Sequence, residues 1–176
     1  ETPRLDAELL LAHALGITRE RLLLTLGDQP VPPGFADLVE RRAAHEPIAY
    51  ITGTRAFWTI DLAVAPGVLI PRPDSETLIE AAVDFFAGTS GPGTILDLGT
   101  GSGALLLAAL DQWPAATGVG IDASPAALDI AAANAARIAP GRATILAGGP
   151  SGMEPFTGDM LVEGDRIAAI GTELDA

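Results

Sequence analysis

Neither cysteine nor lysine occurs anywhere in the 176 residues. Without thiols the chain can form no disulfide and no thiolate metal site. All ten basic residues are arginine, set against 23 acids, for a formal net charge of -13. Cations that few and that scattered build no phosphate-tracking surface, so nucleic acid is not expected as a direct partner. His13 and His45 are the only histidines and belong to no His-x-His pair, so no metal site is expected. No apolar run approaches the roughly 20 residues that cross a bilayer. Nor does the N-terminus carry the basic and apolar regions of a signal peptide, so the expected location is the cytoplasm, away from membranes. Asparagine and tyrosine occur once each, as Asn134 and Tyr50.

Apolar residues are plentiful at 48%, enough for one ordinary domain with a core and a small accessory module. The first fifty residues read as helices. Leu5, Leu9, Ala12 and Leu15 recur at helical spacing before Gly16, and Thr18 is placed to cap Arg19 to Leu24. After the breaker Pro30-Val31-Pro32-Pro33-Gly34 a third helix is expected from Phe35 to His45, ending before Pro47. Between Tyr50 and Ile70 the period changes. Phe57, Trp58, Ile60, Leu62 and Val64, with glycine and proline on either side, predict two short strands in a hairpin. The prolines of Ile70-Pro71-Arg72-Pro73-Asp74 stiffen an extended segment, from which Asp74 or Ser75 is expected to cap a helix over Glu76 to Ala87.

From Thr94 onward strands alternate with helices: Thr94 to Leu98, Ala104 to Leu110, Gly118 to Ile121, Pro125 to Ile138 and Ala143 to Leu146. Such alternation implies an α/β domain with a parallel sheet. The most informative stretch is Thr94-Ile95-Leu96-Asp97-Leu98-Gly99-Thr100-Gly101-Ser102-Gly103. A β-capable run ends in glycines that let the backbone turn tightly, and a helix opens where its free N-H groups face a ligand. This is a nucleotide-type cradle. Asp122 follows about twenty residues later at the end of the next strand, where a carboxylate can accept hydrogen bonds from both ribose hydroxyls. Gly99-x-Gly101-x-x-Ala104 also satisfies the degenerate dinucleotide fingerprint, so a nicotinamide nucleotide remains an alternative ligand. Asp97, two residues before the first glycine, fits the D-x-G-x-G-x-G loop of methyltransferases that use S-adenosylmethionine (SAM) better than the nicotinamide pattern. It is a second cofactor-site candidate, or a brace for the loop.

After Gly148 the pattern breaks. Asp159 to Gly171 reads as two strands about the turn Glu163-Gly164-Asp165.

Residues 1 to about 147 resemble the HemK family, SAM-dependent methyltransferases that modify a glutamine side-chain nitrogen in peptide chain release factors. Pro3-Arg4-Leu5-Asp6-Ala7-Glu8-Leu9-Leu10, Glu46-Pro47-Ile48-Ala49-Tyr50-Ile51-Thr52-Gly53, Phe57-Trp58, Val68-Leu69-Ile70-Pro71-Arg72-Pro73-Asp74-Ser75-Glu76 and the glycine loop carry the resemblance. It implies a Rossmann-like SAM-binding domain behind a small helical module, with SAM as cofactor and a release factor as partner. Gly99, Thr100, Gly101 and Gly103 would line the methionine part of SAM, and Asp122 would hold the ribose. Arg72, Pro73 and Asp74 would lie near the cofactor, and the helical module would help grip the release factor.

An amide nitrogen is a weak nucleophile, so an enzyme must aim its NH2 group with hydrogen-bond acceptors. The family supplies these from an Asn-Pro-Pro-Tyr motif after the fourth strand. Neither Asn134 nor Tyr50 is followed by Pro-Pro, so no catalytic residue is assigned and activity is expected to be impaired. From roughly Gly158 the sequence looks instead like the opening strands of an amidohydrolase-type protein, and residues 148–176 read as foreign to the methyltransferase. One variant of this reading lets Asp159 to Val162 replace the family's fourth strand, with Glu163-Gly164-Asp165 at the catalytic corner. The expected organisation is then a helical module over 1–54, a linking hairpin over 55–70, a partial SAM-binding domain over 71–147 and a hairpin tail over 148–176. A sheet truncated after its third strand exposes an edge, which makes self-association of a non-catalytic chimera a further alternative.

Overall fold

The computed structural model describes residues 3–25, 30–148, 159–163 and 166–171. The helical module opens with α1 (Pro3–Leu15) and α2 (Arg19–Leu24). Thr18 caps α2 as expected, its hydroxyl oxygen accepting from the Arg21 N-H at 3.2 Å. Helix α3 (Phe35–Ala43) starts at Gly34 in the left-handed region and stops two residues sooner than expected. His45 lies beyond it at φ 66°, outside any helix, because the chain must turn before Pro47.

A short helix that the sequence reading left out, α4 (Ile48–Thr52), starts after Pro47 and ends at Gly53 at φ 73°. The hairpin follows as β1 (Thr54–Phe57) and β2 (Ile60–Ala63), antiparallel with Phe57 opposite Ile60 and Arg55 opposite Leu62. Phe57, Ile60 and Leu62 point into the main core. The Tyr50 hydroxyl donates to the Val68 carbonyl at 2.7 Å and ties α4 to the segment leading out of the hairpin.

Helix α5 (Glu76–Phe85) is entered through a 3-10 turn over Pro73–Ser75. This corrects the expected cap: neither the Asp74 nor the Ser75 side chain caps the helix. The Ser75 N-H bonds to the Arg72 carbonyl at 3.0 Å, and the Asp74 carbonyl accepts from the Thr77 hydroxyl at 2.7 Å.

The parallel sheet consists of β3 (Thr94–Leu98), β4 (Thr117–Asp122) and β5 (Ala143–Ala147), in that spatial order. Its crossovers are α6 (Ala104–Gln112) and α7 (Pro125–Ile138). Leu106, Leu107 and Leu110 of α6 are fully buried against it. Close packing depends on glycine at two strand positions. A Cβ on Gly118 would stand 2.5 Å from Leu106 Cδ1, and one on Gly120 would stand 2.9 Å from Thr100 Oγ1.

Register sets Leu96 beside Val119 and Leu98 beside Ile121 and Leu146, on the face turned away from α6. Leu96 is 56% exposed and Leu98 63%. Strand β3 is an edge among the described residues.

The tail contributes β6 (Asp159–Glu163) and β7 (Arg166–Gly171), an antiparallel pair as expected, with a register shift between Leu161 and Val162. They form their own two-stranded sheet. That corrects the variant reading in which Asp159 to Val162 replaces a fourth strand of the parallel sheet, because the backbone groups of β6 pair with β7. The turn residues 164 and 165 lie outside the described residues.

Candidate functional site

The glycine loop leaves β3 and is bolted to the neighbouring strand. Gly99 and Thr100 both donate their N-H groups to the Ile121 carbonyl, at 2.8 and 2.9 Å. Gly99 and Gly101 have φ values of 77° and 57°, a region that side-chain-bearing residues enter at a cost. A Cβ built on either meets nothing within 4 Å, so the space over the loop is open to a ligand. Gly103, at φ 85°, is the N-cap of α6, and its own N-H donates to the Thr100 carbonyl at 2.8 Å.

Two aspartates hold this shape. Asp97, half-buried near the end of β3, accepts from the Thr100 hydroxyl at 2.7 Å and so braces the loop from beneath. Asp122, at the end of β4, uses both oxygens. One accepts from the Gly101 N-H at 2.8 Å, the other from the Ser124 N-H at 2.9 Å. Each oxygen retains a lone pair able to accept a further hydrogen bond. The strand order brings Asp97, Gly99, Thr100, Gly101, Gly103 and Asp122 together, as the sequence led one to expect.

Arg72, Pro73 and Asp74 are exposed and, among the described residues, make no hydrogen bond or ion pair with the loop. Pro73 lines a different hollow. That cleft, of about 800 Å³, runs between the helical module and the hairpin.

Asn134, noted in the sequence only as an asparagine without a following Pro-Pro, has a structural role that the sequence reading did not assign. It is fully buried in α7, donating to the Ser102 carbonyl at 2.9 Å and to the Ala63 carbonyl at 3.0 Å. Its Oδ1 accepts from the Ala63 N-H at 2.8 Å. One carboxamide therefore stitches the glycine loop to the hairpin. The available signal was its place on the apolar stripe Ala127, Ala131, Asn134, Ile138, where a polar side chain has to find partners.

Several of the module's own charges are paired. Glu8, only 8% exposed, accepts from Arg4 Nε at 2.8 Å and from Arg19 Nε and Nη2 at 2.9 and 2.6 Å. Those bonds, Arg4's foremost, hold its carboxyl below the ordinary carboxylate range. Arg42 Nε donates to Asp6 at 2.7 Å and joins α3 to α1.

Two family models match separate parts of the chain. Residues 1–53 match the model of the PrmC N-terminal domain, and residues 95–158 match that of a methyltransferase domain. The second match runs past residue 147. The chain is 47% identical over 139 residues to the release factor glutamine methyltransferase of Rhodospirillum rubrum, covering 77% of this chain and 42% of that protein. It is 44% identical over 151 residues to the enzyme of the same name from Burkholderia pseudomallei, covering 83% of this chain and 51% of that one. The chain thus spans about half the length of the curated relatives it matches. Among solved structures, a SAM-dependent methyltransferase from Geobacter sulfurreducens in complex with S-adenosyl-L-homocysteine shares 29% identity at a TM-score of 0.35, covering 44% of this chain and 29% of that one.

Proposed function

We propose that this chain, which belongs with the release factor glutamine methyltransferases of the HemK family, binds SAM on the loop Gly99 to Gly103. The observation that carries this reading is the Asp122 carboxylate fixed on the Gly101 N-H beside a loop with open space above it. Asp122 holds the two ribose hydroxyls, while the N-H groups at the start of α6 face the methionine carboxylate. Asp97 acts through Thr100, keeping the loop in its left-handed shape. SAM supplies an activated methyl group on sulfonium. The helical module and the segment Arg72 to Asp74 receive the release factor.

Methyl transfer is impaired in this chain. An amide NH2 needs acceptors to aim it, and no Asn-Pro-Pro-Tyr occurs in the sequence. The division into 1–54, 55–70, 71–147 and 148–176 follows the same reading, with the tail a foreign addition.

Calorimetric titration of the folded chain with S-adenosylhomocysteine tests the cofactor assignment. One-site heat that NAD does not displace supports it, and silence from folded protein overturns it. Mass spectrometry of a release factor incubated with the chain and SAM then tests the impairment, which one added methyl on the factor's glutamine would overturn.

A second reading concerns assembly. The exposed Leu96 and Leu98 on a strand that is an edge among the described residues favour self-association through β3, in which two copies continue one sheet across a two-fold axis.

A further inference from the structure

The cleft between the module and the hairpin holds three arginines, and two of them are satisfied. Arg19 gives its Nε-H to Glu8 at 2.9 Å, and Arg42 gives its Nε-H to Asp6 at 2.7 Å. Arg41, on the outside of the module, forks Nε and Nη2 onto Glu46 at 2.8 and 2.5 Å. Arg55, on β1, lines the same cleft, and among the described residues its Nε is buried with no hydrogen-bond partner. A buried guanidinium N-H left unpaired is costly, so a group from outside the chain, whether water, ion or ligand, is expected to meet it.

We propose that Arg55 is the anchor of a binding site for an acidic side chain of a polypeptide threaded along this cleft. The pairing this fold already uses at Arg4, Arg19, Arg41 and Arg42, a carboxylate held through Nε, is the one Arg55 lacks. The walls identify the kind of ligand. Leu9, Ile48 and Ile70 set apolar surface beside the charged groups, so a small inorganic anion would satisfy the arginine and leave that surface uncovered. A peptide with apolar residues on either side of a glutamate or aspartate covers both. Asp61 also faces the cleft but forms no ion pair with Arg55, and Asp6 is neutralised by Arg42. Ile70 and Pro73 at the border lead into the segment Arg72 to Asp74. The site therefore rests on the reading that a protein substrate is received here, and it names the residue type that substrate must present.

The test uses the full chain labelled with nitrogen-15 and follows the Arg55 Nε-H resonance, assigned by its absence in Arg55→Lys. The probe is the capped pentapeptide acetyl-Ala-Leu-Glu-Leu-Ala-amide, run beside its glutamine analogue and inorganic phosphate. The expected result is a saturable shift of the Arg55 signal with the glutamate peptide, and affinity ~tenfold weaker for the glutamine peptide, the scale of one charge-assisted bond. Equal binding of the two peptides overturns the proposal, as does phosphate moving the resonance as far as the peptide does. An Arg55 signal that moves on Asp61→Asn alone assigns its partner inside the chain and also overturns it. These readouts are taken without cofactor, so their failure leaves the S-adenosylhomocysteine titration to stand or fall separately.

Discussion

The side-chain amide of Asn134 donates to the Ser102 carbonyl at 2.9 Å while its oxygen receives the Ala63 N-H at 2.8 Å, so a helix residue fixes the distance between the glycine loop and the hairpin. Replacing it with alanine strands the buried Ser102 carbonyl and the half-buried Ala63 N-H and carbonyl. Asn134→Ala is expected to lose roughly 3 kcal/mol in urea unfolding, at about 1 kcal/mol or more per orphaned group. It is also expected to weaken S-adenosylhomocysteine binding in calorimetry, because the loop loses its tether. An unchanged midpoint would show that the three bonds count for nothing.

Asp122 carries the cofactor reading. In Asp122→Ala the affinity for S-adenosylhomocysteine is expected to fall by about 30-fold, the equivalent of about 2 kcal/mol for hydrogen bonds to a charged acceptor. Circular dichroism on the same sample establishes that the variant is folded.

Gly118 and Gly120 have no room for a side chain. Gly118→Ala is expected to cost about 1–3 kcal/mol, as overpacking does, since its Cβ would press on Leu106. Gly99→Ala separates the two effects that glycine serves in this fold. It meets no neighbour, so its stability loss is that of a left-handed backbone alone, about 1–2 kcal/mol, while its methyl group enters the ligand space. Thermal melts and calorimetry on the pair distinguish crowding from strain.

Glu8 gives a pH dependence of definite sign. Its folded-state carboxyl sits below the ordinary value of 4.5, chiefly through Arg4 and then Arg19. A depressed pKa contributes stability that is full above the unfolded-state value and is lost as pH falls through the folded-state one. The difference in melting temperature between the native chain and Glu8→Gln is therefore expected to be constant near neutrality and to shrink below about pH 4. A difference that persists at lower pH would count against the ion-paired carboxylate as its source.

Self-association through β3 predicts a concentration-dependent dimer in sedimentation velocity. Leu98→Lys places a charge on the exposed face and is expected to weaken it by ~tenfold or more, with little effect on the melt, since Leu98 is already 63% exposed. A monomer at all concentrations rejects this mode.

The α/β portion was legible because its punctuation is local. Proline at the start of α7, glycines after β3 and short apolar runs each mark a boundary, and β3 and α7 fall where those marks place them. The carboxylates Asp97 and Asp122 were legible too, being fixed by spacing from the glycines. Helix α4 was not, since Ile48-Ala49-Tyr50-Ile51-Thr52 has the β-branched and aromatic look of a strand, and only Pro47 before it and Gly53 after it marked a helix. The entry to α5 was misread because a backbone 3-10 turn took the place of a side-chain cap. Asn134 and Arg55 escaped for a deeper reason. Their importance lies in partners found, or lacking, far away along the chain, which no local pattern encodes.

Because the glycine loop takes its form from bonds to Ile121, Asp97, Asp122 and Asn134, all within the chain, its geometry is settled when the chain folds. Capture of a small molecule there is then an encounter with a rigid surface rather than a closing of one, and little ordering remains to be done on arrival. Association is accordingly governed by diffusion and orientation, and what distinguishes a good ligand from a poor one is how slowly it leaves.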